Sequence, residues 1–341
     1  MKKRLFTGIA LAAALTLAGC GNSDTTKKET AKADTQTHYP VTIHNVKAPE
    51  GGGKWEKKDQ VFKAAPKRIM ANTRPAAELL LRLGLGDKIV GVGADFGAPD
   101  KTVSKAYKKL KILSDQYVGK EVTLGTNPDL VLGRGGLFDN TDWGVGTVDT
   151  LNDMGIHTYV LESSIKGGTY DTIYQDIDNI GQIFNMQDKA NSFKKELQTK
   201  EQNIEHKLAS IKENKTFAYL HMFDPENISV YPANDETFFN DAFKKIKMDN
   251  VFKQEKGEVS VETLIKTNPD VLIIPKMTED SPKKADKIIQ SLYKNPKLSS
   301  MKAIKNKQVY AVDYNYLFGY GYTTIDGMEM LAKEMYPELF K

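Results

Sequence analysis

Apolar and polar positions alternate in two rhythms along most of this chain. Short apolar runs read as strands in the first half: "RIMA" (68–71), "KIVGV" (88–92), "DLVLG" (129–133) and "HTYVL" (157–161). The second half has its own set: "TFAYLH" (216–221), "ISVYP" (228–232), "DVLIIP" (270–275) and "QVYAV" (308–312). Between them, apolar residues recur every three or four positions and predict helices. Examples are "PAAELLLRLG" (75–84), "TYDTIYQDIDNIGQIF" (169–184), "ADKIIQSLY" (285–293) and "IDGMEMLAKEMY" (325–336). Strands alternating with helices predict parallel sheets with helices on their faces. The stretch "YNYLFGYGY" (314–322) reads as an aromatic loop, because its glycines follow a strand.

One segment breaks the rhythm. Residues 188–212 contain neither Gly nor Pro, and Ala190, Phe193, Leu197, Ile204, Leu208 and Ile211 make one helical stripe. At 1.5 Å per residue such a helix spans roughly 38 Å. That is more than one small sheet requires, so it reads as a strut between two lobes. The expected layout is an N-terminal lobe at 39–187, the strut at 188–212 and a C-terminal lobe at 213–341.

A repeat supports the doubling. "TNPDLVL" (126–132) and "TNPDVLI" (267–273) stand 141 residues apart, and each follows a glutamate by five positions, Glu121 and Glu262. Pro cannot continue a helix and biases its predecessor to extended geometry. Asp favours the turn. Each copy therefore predicts a helix-to-strand corner, one per lobe.

Length and composition agree with two ordinary α/β domains in 341 residues. The formal net charge is +4, and Lys2, Lys3 and Arg4 lie in a stretch with no acid, leaving 4 − 3 = +1 for residues 20–341. The remaining lysines read as scattered among acids. A near-neutral body gives no reason to expect a nucleic-acid partner. The first 19 residues have a basic start, an apolar run and then Leu17-Ala18-Gly19 before Cys20, which is the lone cysteine of the chain. This is a secretory leader, and its ending resembles a bacterial lipoprotein signal with lipid on Cys20. Residues 21–37 carry no large apolar side chain and read as a flexible tether.

The whole pattern resembles one family: the substrate-binding lipoproteins of ABC importers for iron–siderophores, haem and cobalamin. The residues that carry the resemblance are the lipoprotein-like start, "YPVTIHN" (39–45), "APKRIMAN" (65–72), "AAELLLRLGLGDKIVGVG" (76–93), both "NPD" corners and the strut. The resemblance implies two Rossmann-like lobes bridged by a long helix, with the ligand in the cleft between them. It implies partners, an ABC permease and its ATPase, and it implies that Glu121 and Glu262 engage the permease. The resemblance further implies a monomer with no resident cofactor, anchored at the extracytoplasmic face of the bacterial cell membrane.

Ligands of open parallel sheets gather beyond the carboxyl ends of the strands. That rule selects Arg74, Phe96, Arg134 and Phe138 in the first half. In the second it selects His221, Met222, Lys276, Tyr314, Tyr316, Phe318, Tyr320 and Tyr322, with Asp95, Phe223 and Met277 at the same strand ends. Arg134 and Lys276 follow the two repeated strands, one residue out of register, and suggest cations facing one cleft. Arg suits carboxylate or catecholate oxygens, and tyrosines offer flat surface with hydroxyls. An anionic ferric siderophore uses both. Haem needs an axial ligand, for which His221 is available; cobalamin is the other alternative. Direct zinc or manganese binding is not expected, because few of the five histidines fall at strand ends. "GVGADFG" (91–97) is one residue off a dinucleotide fingerprint and no other catalytic motif appears, so no enzyme is expected. A protein-binding adhesin is the remaining alternative class.

Overall fold

A computed structural model describes residues 38–49, 53–277 and 282–341, and residues 38–341 make one compact unit. The expected leader, Cys20 and the expected tether at 21–37 lie outside the described residues.

Two separate sheets carry the unit. The first orders its strands Ile89–Val92, Ile69–Ala71, Leu130–Arg134 and His157–Leu161, all parallel. In the second, Lys215–Leu220 pairs in parallel with Met248–Asn250 and Val271–Lys276, and Val309–Asp313 follows in parallel. Val230–Tyr231 adds an antiparallel edge. The two sheets share one strand order, so the architecture is α/β with two Rossmann-like halves. Met248–Asn250 is absent from the sequence reading because "MDN" has no apolar run to announce it.

The repeated corners fold alike. Asn127 and Asn268 sit in the left-handed region at φ +51° and +54°; Asn268 caps its helix directly, whereas Asn127 turns the chain two residues after the Gly125 cap. The Asp129 carboxylate accepts the backbone N–H groups of Lys67 and Arg68, both at 2.8 Å. The Asp270 carboxylate accepts the N–H of Thr216 at 3.0 Å and its hydroxyl at 2.7 Å. Each corner thus ties down the start of the central neighbouring strand, Ile69–Ala71 or Lys215–Leu220.

The long helix runs Gln187–Lys207, 21 residues, or roughly 31 Å. It ends before position 212, since Ala209 and Ile211 donate to carbonyls only three residues back and tighten the chain into turns. Its buried stripe includes Ala190, Phe193, Leu197 and Ile204. The stripe packs between Thr172–Ile183 of the first half and Thr324–Met335 of the second. One apolar core therefore runs from Leu80 and Tyr159 through Phe193 to Tyr219, Phe239 and Leu331. The halves are fused through that core.

The expected aromatic loop is partly a helix, Tyr314–Phe318. The Asp313 carboxylate caps it by accepting the N–H of Asn315 at 3.0 Å. This cap fixes which tyrosines can reach the cleft.

Candidate functional site

Two adjoining cavities of about 490 and about 340 Å3 open between the halves, and both are lined by His221 and Tyr314. The first-half wall supplies Phe96, Tyr117 and Arg134; the second supplies Phe223, Tyr231, Glu236, Met277, Phe318 and Tyr320.

Arg134 reaches the cleft because its backbone is clamped. The Asn72 side chain accepts the N–H of Arg134 at 2.8 Å and donates to its carbonyl at 3.1 Å. Gly133 just before it has φ +150°, and a Cβ there would stand 1.8 Å from the Asn72 Oδ1. Only glycine leaves room for that clamp. Outward, the Arg134 Nη1 donates to the Tyr117 hydroxyl at 3.1 Å. Its guanidinium carbon stands 4.8 Å from the Tyr320 ring centre, a cation–π contact.

The opposite wall centres on Glu236. Its carboxylate accepts the Tyr231 hydroxyl at 3.1 Å and the Tyr320 hydroxyl at 2.5 Å. Phe96 packs edge-on against Tyr117 at 5.5 Å and Tyr314 at 6.2 Å, joining the two walls. Burial holds the His221 imidazole below its ordinary pKa, so it is neutral at pH 7. Among the described residues, no group of three or more His, Cys, Asp or Glu side chains is arranged to hold a metal ion.

The seam below the cleft is tight. Asn315 donates to the Phe96 carbonyl at 2.9 Å, and the Ala98 N–H donates to Asp313 at 2.8 Å. Gly97 lies between, at φ +84°, where a Cβ would strike the Asn315 side chain at 2.2 Å. The Tyr322 hydroxyl donates to Asp100 at 2.5 Å, and the Asp100 N–H donates to Glu78 at 2.9 Å. Burial pushes the Glu78 carboxyl up to about 8.

Of the twelve residues selected from strand ends, Phe96, Arg134, His221, Tyr314, Phe318 and Tyr320 line the cleft. The other six do not. Lys276 and Tyr316 line a separate cavity of about 50 Å3 beside Asp313 and Glu334. The reason is register. The residue matching Arg134 is Pro275, and a one-residue offset on a strand reverses the face. The expectation of two cations across one cleft is therefore overturned. Phe138 and Met222 are core residues, 3% and 1% exposed. Arg74 is ion-paired with Asp95 at 2.5 Å and lies over the Tyr107 ring. Tyr322 is buried against Phe193 of the long helix.

Sequence reasoning missed Tyr117, Tyr231 and Glu236. Tyr117 follows no long apolar strand. Glu236 is the residue before the helix Thr237–Lys245, and nothing in its local sequence marks it as cleft lining. Glu121 and Glu262 are both exposed in the first turns of short helices, Lys120–Leu124 and Val261–Thr267. The Glu262 carboxyl lies below its ordinary range because its own backbone N–H and the Ser260 hydroxyl donate to it.

The comparisons agree with this geometry. The family model described as "Periplasmic binding protein" matches residues 70–316. The ABC transporter substrate-binding lipoprotein YvrC of Bacillus subtilis (strain 168) is 28% identical over 344 residues, covering 100% of both chains. The petrobactin-binding protein YclQ of the same organism is 25% identical, covering 98% of each. The crystal structure of a periplasmic binding protein from Veillonella parvula has a TM-score of 0.74 at 23% identity, covering 87% of this chain and 99% of that one. That match speaks to the fold. A seam with two walls, a fused core and a cavity between them fits such proteins, which bind a solute and do not transform it. The chain belongs to the periplasmic binding protein family and is a substrate-binding protein of an ABC importer, not an enzyme.

Proposed function

We propose that this protein captures a ferric siderophore in the inter-lobe cleft and hands it to an ABC permease. The observation that carries the reading is the cleft lining: one arginine held by a backbone clamp, surrounded by Tyr117, Tyr314 and Tyr320. A guanidinium and phenol hydroxyls suit the hard oxygens of an iron chelate, and the aromatic faces suit its organic frame. The family relation to a petrobactin-binding protein supports the same ligand class. Glu121 and Glu262, exposed and equivalent in the two halves, would register the body on a basic permease surface. A lipid on Cys20 would moor it at the extracytoplasmic face of the cell membrane as a tethered monomer.

One observation favours a second reading. His221 lines both cavities and stays neutral, which suits an axial ligand of haem iron. Fluorescence titration of the purified chain against ferric hydroxamates, ferric catecholates, citrate-type chelates, haemin and cobalamin separates the two. Tight binding of a ferric chelate is expected. Binding of haemin alone, with a Soret shift lost in His221→Ala, would select the haem reading.

A further inference from the structure

The charged groups lining the cleft do not balance toward an anionic ligand. Among the described residues of the two cavities, Arg134 is the one permanent cation, and Asp95, Asp115 and Glu236 are the acids. The formal sum is +1 − 3 = −2, or −1 when Arg74, paired with Asp95, is counted. His221 adds nothing at pH 7, since burial keeps it neutral. Lys276, which would have raised the sum by one, lines another cavity.

Glu236 is the informative acid. Among the described residues it makes no direct ion pair with Arg134, although its charge acts on the guanidinium from a distance; Tyr320 bridges the two, with its ring under the guanidinium and its hydroxyl donating to Glu236 Oε2. The second bond comes from Tyr231. A carboxylate offers about four acceptor sites, so Glu236 keeps capacity for a donor on a ligand in the cavity it lines. The cleft therefore presents a cationic donor group on one side of Tyr320 and a carboxylate acceptor on the other.

We propose that Glu236 sets ligand charge: the bound chelate is electroneutral overall or carries one positive group. Arg134 and Tyr117 take an oxygen at its chelating end, and Glu236 accepts from an ammonium, amide or hydroxyl on its periphery. A triply negative chelate meets one arginine and several carboxylates, and uncompensated like charges in a half-buried site are repelled. This inference rests on the proposed function as a binder of ferric chelates and narrows it.

The test uses three iron complexes titrated into the purified chain by fluorescence quenching at low salt. They are a linear ferric trihydroxamate with a free terminal amine, the same complex N-acetylated, and a ferric tris-catecholate of charge −3. The amine form should bind tightest and the tris-catecholate weakest, by about tenfold or more. Glu236→Gln should shrink that ratio to within about threefold, mainly through lost affinity for the amine form. Glu236→Asp keeps the charge and should keep the order, and melting curves verify that both variants fold. A tris-catecholate that binds first, or a ratio unchanged in Glu236→Gln, overturns this inference while leaving a siderophore reading in place. Haemin binding with no ferric chelate bound overturns both.

Discussion

The corners at 126–134 and 267–275 match in their supports and part where the chemistry begins. Asn127 and Asn268 take the same left-handed conformation, and Asp129 and Asp270 hold equivalent neighbouring strands. At the strand ends the match stops: Arg134 enters the cleft, and its counterpart Pro275 cannot. The repeat preserves what the backbone needs and leaves the side chain at the rim free to diverge. The halves differ inside as well. The buried carboxylates Glu78, Asp100, Asp176 and Glu201 all lie in the first half or the long helix, and none of the described residues after position 213 adds another. The second half keeps neutral groups such as Asn250 and Asn315 in its interior.

Where the halves are held to be equivalent, disruption should be equivalent too. Reversing both docking candidates, Glu121→Lys with Glu262→Lys, should bring uptake by cells down to background. Chelate affinity of the purified double variant should stay within about twofold of the parent, because neither residue lines the cleft. Either single reversal should give an intermediate uptake rate. Full uptake by the double variant would remove the docking role from both lobes.

Where the halves differ, the effects should be lopsided. Arg134→Gln should weaken chelate binding about 30- to 100-fold, the loss of one charge-assisted contact in a half-buried site. Lys276→Gln should change it by less than about twofold, because that side chain lies beside Asp313 and Glu334. Equal losses from the two would mean that Lys276 reaches the ligand after all, and the contrast between the strand ends would be gone.

The sequence made the scaffold readable and left half the site hidden, for one physical reason. Strands, helices and corners follow from periodicity and turn chemistry, and those signals are local. Arg134 was legible because Gly133 and the strand end mark the rim. Lys276 misled because it sits one residue further along, and a face cannot be assigned from strand-end position alone. Tyr322 was read as cleft lining, yet the hydrogen bond to Asp100 that buries it joins residues 222 positions apart. Glu236 became visible only once Tyr320, 84 residues further along the chain, was seen to donate to it beside its near neighbour Tyr231. The helix Tyr314–Phe318 could have been found from its Asp313 cap.

The fully buried acids give the first half and the long helix a pH response of their own. Glu78 titrates near 8 when folded, against an ordinary value of 4.5, because burial penalises its charge. The native state thus holds a proton that the unfolded chain releases. That contribution is complete below the unfolded pKa and is lost as pH rises through the window from 4.5 to about 8. Between pH 5 and 7 the loss is about 2 kcal/mol. Glu78→Gln should flatten this slope in urea unfolding measured at several pH values. Parallel slopes for parent and variant would place the titration elsewhere, and Asp176, raised by burial to about 7, would be the next group to replace.

The smallest expected effect tests the symmetry most directly. Asn127 and Asn268 hold φ values of +51° and +54°. An alanine pays about 1 kcal/mol to enter that region, since its Cβ crowds the following carbonyl. The Asn268 carboxamide also accepts the Lys302 N–H at 2.8 Å through its Oδ1. Asn127→Ala should therefore cost about 1 kcal/mol from the backbone alone. Asn268→Ala should cost that and up to about 1 kcal/mol more for the lost hydrogen bond, which lies at the surface and is partly replaced by water. Glycine at each position isolates the two parts: Asn127→Gly should be close to neutral, while Asn268→Gly keeps only the hydrogen-bond loss. If the glycine variants lose as much stability as the alanine variants at both sites, the left-handed asparagines are not what the two corners share. The equivalence of the lobes would then rest on Asp129 and Asp270 alone.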